Sequence, residues 1–153
     1  MAISRTQMET TIRDYFSACN RADKEKIMSF FIPEGTHYFP EGSPFGVLRS
    51  AEAIADCWVS CVNDLGSYWT VDNFAGDTEN HQAVIEWSHF KKKSEQLLRG
   101  DEWYRFTEDG LIIEIRAYYA APTHVGVTEH RIGGFDYAGR GYPLLPPENN
   151  PEK

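Results

Sequence analysis

The sequence predicts an α+β fold in which a strongly curved, cone-shaped antiparallel sheet wraps around three N-terminal helices, followed by an extended C-terminal tail. Three observations carry this expectation. Apolar residues recur at helical spacing in three stretches before Gly66, strand-like alternation replaces that period from Ser67 to Tyr119, and neither period is sustained beyond Pro122. Helices that must bury their stripes on one face of a strongly twisted sheet leave a cone open at one end. The boundaries that follow are a domain over residues 1–122 and a tail over 123–153.

Each element has a local reason. Thr6-Gln7-Met8-Glu9 has the form of a capping box, and Met8, Ile12, Tyr15, Phe16 and Cys19 then fall along one stripe, so the first helix runs from about Gln7 to Asn20. Asp23 is positioned to cap a shorter second helix carrying Ile27, Met28, Phe30 and Phe31, with Pro33-Glu34-Gly35 as its stop. Thr36–Phe39 is a short strand placing His37 and Phe39 on one face. Ser50 caps a third helix, Ala51–Leu65, with Ile54, Trp58, Cys61 and Leu65 on its buried stripe and Gly66 as its C-terminal stop. Tyr68–Phe74, Gln82–Phe90, Gln96–Phe106 and Leu111–Tyr119 are four successive strands joined by turn-like segments, the last through Glu108-Asp109-Gly110.

Composition narrows the function. A chain of 153 residues that is 41% hydrophobic and 14% aromatic can bury a sizeable core, and no run approaches the roughly 20 apolar residues of a membrane-spanning helix. A net charge of −8 argues against nucleic-acid partners, and the one basic run, Lys91-Lys92-Lys93, falls at an expected hairpin tip. The N-terminus lacks the pattern of a signal peptide, which makes a cytoplasmic setting the expectation. Cys19, Cys57 and Cys61 sit in apolar helical patterns and read as reduced, packed thiols; no metal site is expected, the pair His124 and His130 with Glu129 being weak in spacing.

The most informative residue is Glu102. Alternation places it with Leu98, Gly100, Tyr104 and Phe106 on the apolar side of its strand, the side the first helix should cover with Tyr15. A carboxyl in an apolar pocket is driven toward its neutral form, and beside a tyrosine hydroxyl it would supply two donors to one developing oxyanion. His37 is the candidate base, and His89 shares the inward face of Ala83, Ile85 and Trp87. Phe39, Trp58, Trp87, Tyr104 and Tyr119 are expected, with His89, to form the wall of a cavity for a flat, apolar or aromatic small molecule. The competing reading pairs Glu102 with Arg105 or Arg116 in a structural network.

The stretches DYFSACNRADKEKIMSFFIPEGTHYFP and DEWYRFTEDGLIIEIRAYY resemble the opening and the closing hairpin of the nuclear transport factor 2-like superfamily, in its ketosteroid isomerase and SnoaL-like branch, over about Met8 to Ala121. The resemblance assigns an oxyanion-binding role to Tyr15, five residues before Asn20, and places Glu102 where those isomerases have a protonated carboxyl. It departs at the general base, an aspartate before a proline in the isomerases and Phe39 before Pro40 here. It implies a cofactor-independent lyase or isomerase moving a proton in a small carbonyl or hydroxyl compound. The alternative is a non-catalytic ligand-binding or assembly module. Epoxide hydrolysis would need an Asp–Arg–Asp cluster that the pattern does not place. The resemblance also implies a homodimer, and Gly133–Leu145 is expected to fold over the cone mouth as a lid or onto a partner subunit as an arm.

Overall fold

A computed structural model describes residues 2–40, 43–119 and 136–147. The elements are α1 (Arg5–Asn20), α2 (Lys24–Ser29), β1 (Phe31–Tyr38), α3 (Ala51–Leu65), β2 (Ser67–Asp77), β3 (Gln82–Lys91), β4 (Gln96–Phe106) and β5 (Ile112–Tyr118). Strands β2 to β5 form the expected antiparallel meander, but β1 joins β5 in parallel, so the curved, open sheet is mixed and ordered β1-β5-β4-β3-β2. A strand separated from its partner by α3 and three strands returns along a long crossover, and such a connection permits parallel pairing.

The helix ends follow their caps. The capping box of α1 is two residues earlier than the sequence suggests: Ser4 Oγ accepts from Gln7 N, and Gln7 Oε1 accepts from Ser4 N. Asp23 and Ser50 cap α2 and α3 as expected, and Gly66 closes α3 at φ 65°, in the left-handed region. Pro33 does not end α2, which stops at Ser29; it lies inside β1, where the register slips between Phe31 and Thr36. An edge strand with a bulge tolerates a residue that has no N–H to donate.

Asn20 fixes helix to sheet. Its side chain donates to Trp69 O and accepts from Trp69 N, acting as a strand partner for the backbone of β2. At the C-terminal end of α3, the 91–93 turn does more than face solvent: Lys93 N bonds Leu65 O, Lys92 N bonds Gly66 O, and Lys93 Nζ lies 2.5 Å from Asn63 O. Lys92 and Lys93 thereby meet the negative end of a helix and satisfy carbonyls that the helix itself leaves free.

The core lies between the helices and the concave face, centred on Met8, Ile12, Ile54, Ile85, Ile112 and Ile115. Residues 136–147 rest on the opposite, outer face. Arg99 donates to Pro143 O at 2.7 Å and lies 4.3 Å from the centroid of the Tyr137 ring, while Tyr142 Oη donates to Glu86 Oε1. The described part of the tail therefore contributes neither a lid nor any lining to the concave side; residues 133–135 of that expectation, with His124, Glu129 and His130, lie outside the described residues.

Candidate functional site

A cavity of about 580 Å³ opens between the concave face, α1, α3 and the 43–45 loop. Its inner end is formed by Tyr15, His37, Trp58 and Glu102, all buried, whereas Pro44, Ser60 and Asp64 at its outer end are exposed. Of the residues expected in its wall, Phe39, Trp58, Trp87, His89 and Tyr119 line it. Gly100 is what lets Trp87 lie flat across β4: a Cβ there would come within 2.7 Å of Trp87 Cζ2 and of Tyr118 O. All three cysteines, expected as packed thiols, are free thiols in the cavity lining, Cys19 and Cys61 buried and Cys57 half-buried; among the described residues no cluster of side chains could hold a metal ion.

Glu102 faces this interior from β4, opposite Ile85 and Ala117 of the neighbouring strands. Tyr104 Oη donates to its Oε1, and His37 Nε2 lies 3.8 Å from its Oε2. Burial pushes the Glu102 carboxyl up from 4.5 to about 7; the Tyr104 hydrogen bond pulls it down, and Asp101 pushes it further up. The competing network does not include it: Arg105 and Arg116 pair with Glu114. Glu102 is thus an acid of nearly neutral pKa, able both to hold and to release a proton.

The structure redistributes the roles around it. Tyr104, expected in the cavity wall, lies behind Glu102 and outside the lining, and it is the phenol bonded to the carboxyl. Tyr15 lines the cavity but makes no hydrogen bond to Glu102; its oxygen accepts from Trp58 Nε1 at 2.6 Å. Burial raises the Tyr15 pKa well above the ordinary value, so the phenol keeps its hydrogen. With Trp58 donating into the oxygen, that hydrogen is left for a ligand or for the nearby Cys19 thiol.

His37 is held by β1 and by a two-way backbone bridge to Leu48, its ring stacked 4.2 Å from Phe39. Burial pushes it down to about 3, against the pull of Tyr38 O, 3.2 Å from Nδ1. That carbonyl assigns the ring proton to Nδ1 and leaves Nε2 as an acceptor turned toward Glu102. The expected base is therefore a neutral imidazole of low basicity, 3.8 Å away and beyond direct hydrogen-bond reach. His89 is likewise pushed down to about 3 by burial; its Nε2 meets Ser67 Oγ at 2.7 Å and its ring stacks on Trp69.

Some lining residues were not singled out in the sequence. Ser43 and Phe45 come from a loop with no period, and nothing in the sequence marks them. Lys91 was legible: it continues the inward alternation Ile85, Trp87, His89.

The profile of the SnoaL-like domain matches residues 12–115, which spans both the α1 face carrying Tyr15 and the hairpin carrying Glu102. The chain belongs to the SnoaL-like domain family. Among solved structures, this SnoaL-like chain is similar to a protein of unknown function with a cystatin-like fold from Methylobium petroleophilum PM1. The two are 46% identical over 98% of this chain and 99% of that one, with a TM-score of 0.77. It also shares its fold with SalBIII, an epoxide hydrolase/cyclase-like enzyme of salinomycin pyran-ring formation, at 14% identity over 76% of this chain and 92% of that one (TM-score 0.64). Bal32a, from a soil-derived mobile gene cassette, gives 15% identity over the same 76% and 92% with a TM-score of 0.67. No curated protein sequence matches the chain. No helix among the described residues is long and apolar enough to cross a membrane.

Proposed function

We propose that this SnoaL-like protein is a cofactor-independent proton-transfer enzyme, a lyase or isomerase acting on a small, largely apolar or aromatic carbonyl or hydroxyl compound held in the cavity. One observation carries the reading: the buried carboxyl of Glu102, at the inner end of an aromatic-walled cavity, has its pKa pushed to about 7. A group poised there exchanges a proton near neutral pH with the least driving-force penalty in either direction. In this scheme Glu102 takes a proton from carbon next to the carbonyl and returns it at a neighbouring atom. Tyr15, steered by the Trp58 indole, donates its hydrogen to the oxygen on which charge develops. His37 and Tyr104 act as positioning residues: Tyr104 donates to Glu102 Oε1, and the His37 Nε2 lone pair faces the other carboxyl oxygen.

Among the described residues the cavity lining contains no arginine, and the buried Asp72–Arg99 pair lies on the outer face, which favours this chemistry over an Asp–Arg–Asp epoxide hydrolysis. A homodimer in a cytoplasmic setting completes the proposal. Exposed Trp103 and Tyr118 on the outer face of β4 and β5 are the surface a second copy would cover, and the mass in solution by light scattering reads it directly.

The test does not require the natural substrate. Incubation with 2-tetralone in D₂O, followed by NMR, reads protein-dependent deuterium entry next to the carbonyl; the expected rate falls about 10²-fold or more in Glu102→Gln. Wild-type exchange no faster than that of Glu102→Gln, with the ketone bound, would leave the non-catalytic binding module as the reading.

A further inference from the structure

Lys91 stands apart from the two lysines that follow it. Lys92 lies 5.8 Å from the Tyr68 ring centroid and Lys93 Nζ lies 2.5 Å from Asn63 O, both on the outside of the α3 terminus. Strand alternation turns Lys91 the other way, onto the face of Ile85, Trp87 and His89, where it lines the cavity near its open end. It is only partly exposed there, and its side chain makes no hydrogen bond or ion pair with any described residue. Asp64 shares the same rim but forms no ion pair with it within 4 Å. Burial pushes the Lys91 pKa down, and the Cys61 thiol across the cavity pulls the other way without closing an ion pair.

The register sets the distance between this cation and the acid. Glu102 is level with Ile85 on β3, and Lys91 lies six residues further along the same strand, or about 20 Å of backbone at 3.3 Å per residue. Both side chains line the same cavity, with Trp87 and His89 between them along β3. A largely apolar corridor with a proton-exchanging acid at its inner end and, at its mouth, an ammonium that no carboxylate pairs fits a molecule with two different ends.

We infer that Lys91 anchors a carboxylate at the mouth of the cavity, so that the ligand class is an elongated aromatic or alicyclic keto acid whose carbonyl lies toward Glu102 and whose acid group meets Lys91. The inference rests on the proposed function for the carbonyl end. The carboxylate end stands on the placement of Lys91 alone.

A matched pair of probes separates the two. Binding of 10-oxo-10-phenyldecanoic acid, whose chain is long enough to span from Glu102 to Lys91, and of its methyl ester is measured by isothermal titration at pH 7.5. Wild type should bind the acid about tenfold tighter than the ester, as a charge-assisted hydrogen bond allows. Lys91→Met should erase that preference while holding the ester, Lys91→Arg should keep it, and Asp64→Asn should enlarge it by removing a like charge from the rim. Circular dichroism establishes that each variant is folded. Equal affinities in wild type, an undiminished preference in folded Lys91→Met, or no binding of either probe overturns the inference. Glu102→Gln should lose deuterium exchange yet retain the acid preference, so failure of the proposed chemistry and failure of the anchor leave different signatures.

Discussion

The two faces of the sheet bury charge in opposite ways. On the outer face Asp72, lifted out of register by the bulge after Val71, accepts from Ser88 Oγ at 2.5 Å and Thr70 Oγ1 at 2.6 Å. Arg99 bonds the same Ser88 hydroxyl, lies 3.8 Å from Asp72, and donates its other nitrogen to Pro143 O. On the concave face, three residues along β4, Glu102 is equally buried but has one donor, Tyr104, and a neutral histidine. Burial raises both carboxyls, yet only Asp72 has a cation and two hydroxyls pulling against it. A closed network locks a charge in place and serves stability; an incomplete one leaves a proton free to come and go, which is what acid–base chemistry uses.

The contrast is broken most strongly at Arg99. Arg99→Met strands Asp72 without its cation and is expected to lower stability by about 3 kcal/mol in urea unfolding, while deuterium exchange into 2-tetralone continues. A comparable loss of exchange with unchanged stability would reverse the assignment of the two faces.

Next comes the pH dependence of stability. Glu102 has a folded pKa of about 7 against 4.5 for the free side chain, so the folded state holds its proton more tightly. The associated stability is fully present below about pH 4.5 and is lost as pH rises through about 7. Relative to Glu102→Gln, wild type should therefore lose about 3 kcal/mol over that window, an upper figure read from denaturant unfolding at pH 4.5 and 8. Parallel curves for the two proteins would mean the carboxyl is as well solvated folded as unfolded.

Smaller effects sharpen the inner site. Tyr15→Phe should slow exchange by about 10²-fold, and Trp58→Phe, which removes only the indole donor to Tyr15, by about tenfold. The reverse order would make Trp58 the group that meets the oxyanion. Smallest is the tail: truncation after Pro122 removes the acceptor and the ring that hold Arg99, and should lower stability by about 1–2 kcal/mol with little change in ester binding.

Much of this was legible beforehand because it is local. Ser50 and Gly66 bound α3, the alternation of Gln96–Phe106 turns Glu102 inward, and the resemblance around Asn20 led to Tyr15 in the lining. The errors came where a partner distant in sequence decides. Tyr104 shares the face of Glu102, so alternation put it in the wall, but packing beneath α1 closed that position to the cavity and turned its hydroxyl onto the carboxyl. His37 carried an ordinary basicity until Phe39 and Trp58 enclosed it.

The sequence by itself determined three helices, a meander, and an acid on the apolar side of the fourth strand, because caps, turns and periods act over a few residues. The parallel pairing of β1 with β5, the seat of residues 136–147 on the outer face and the level of Lys91 relative to Glu102 come from the tertiary structure. Strand pairing and desolvation are properties of what surrounds a residue, and those surroundings are assembled from segments that the chain order keeps far apart.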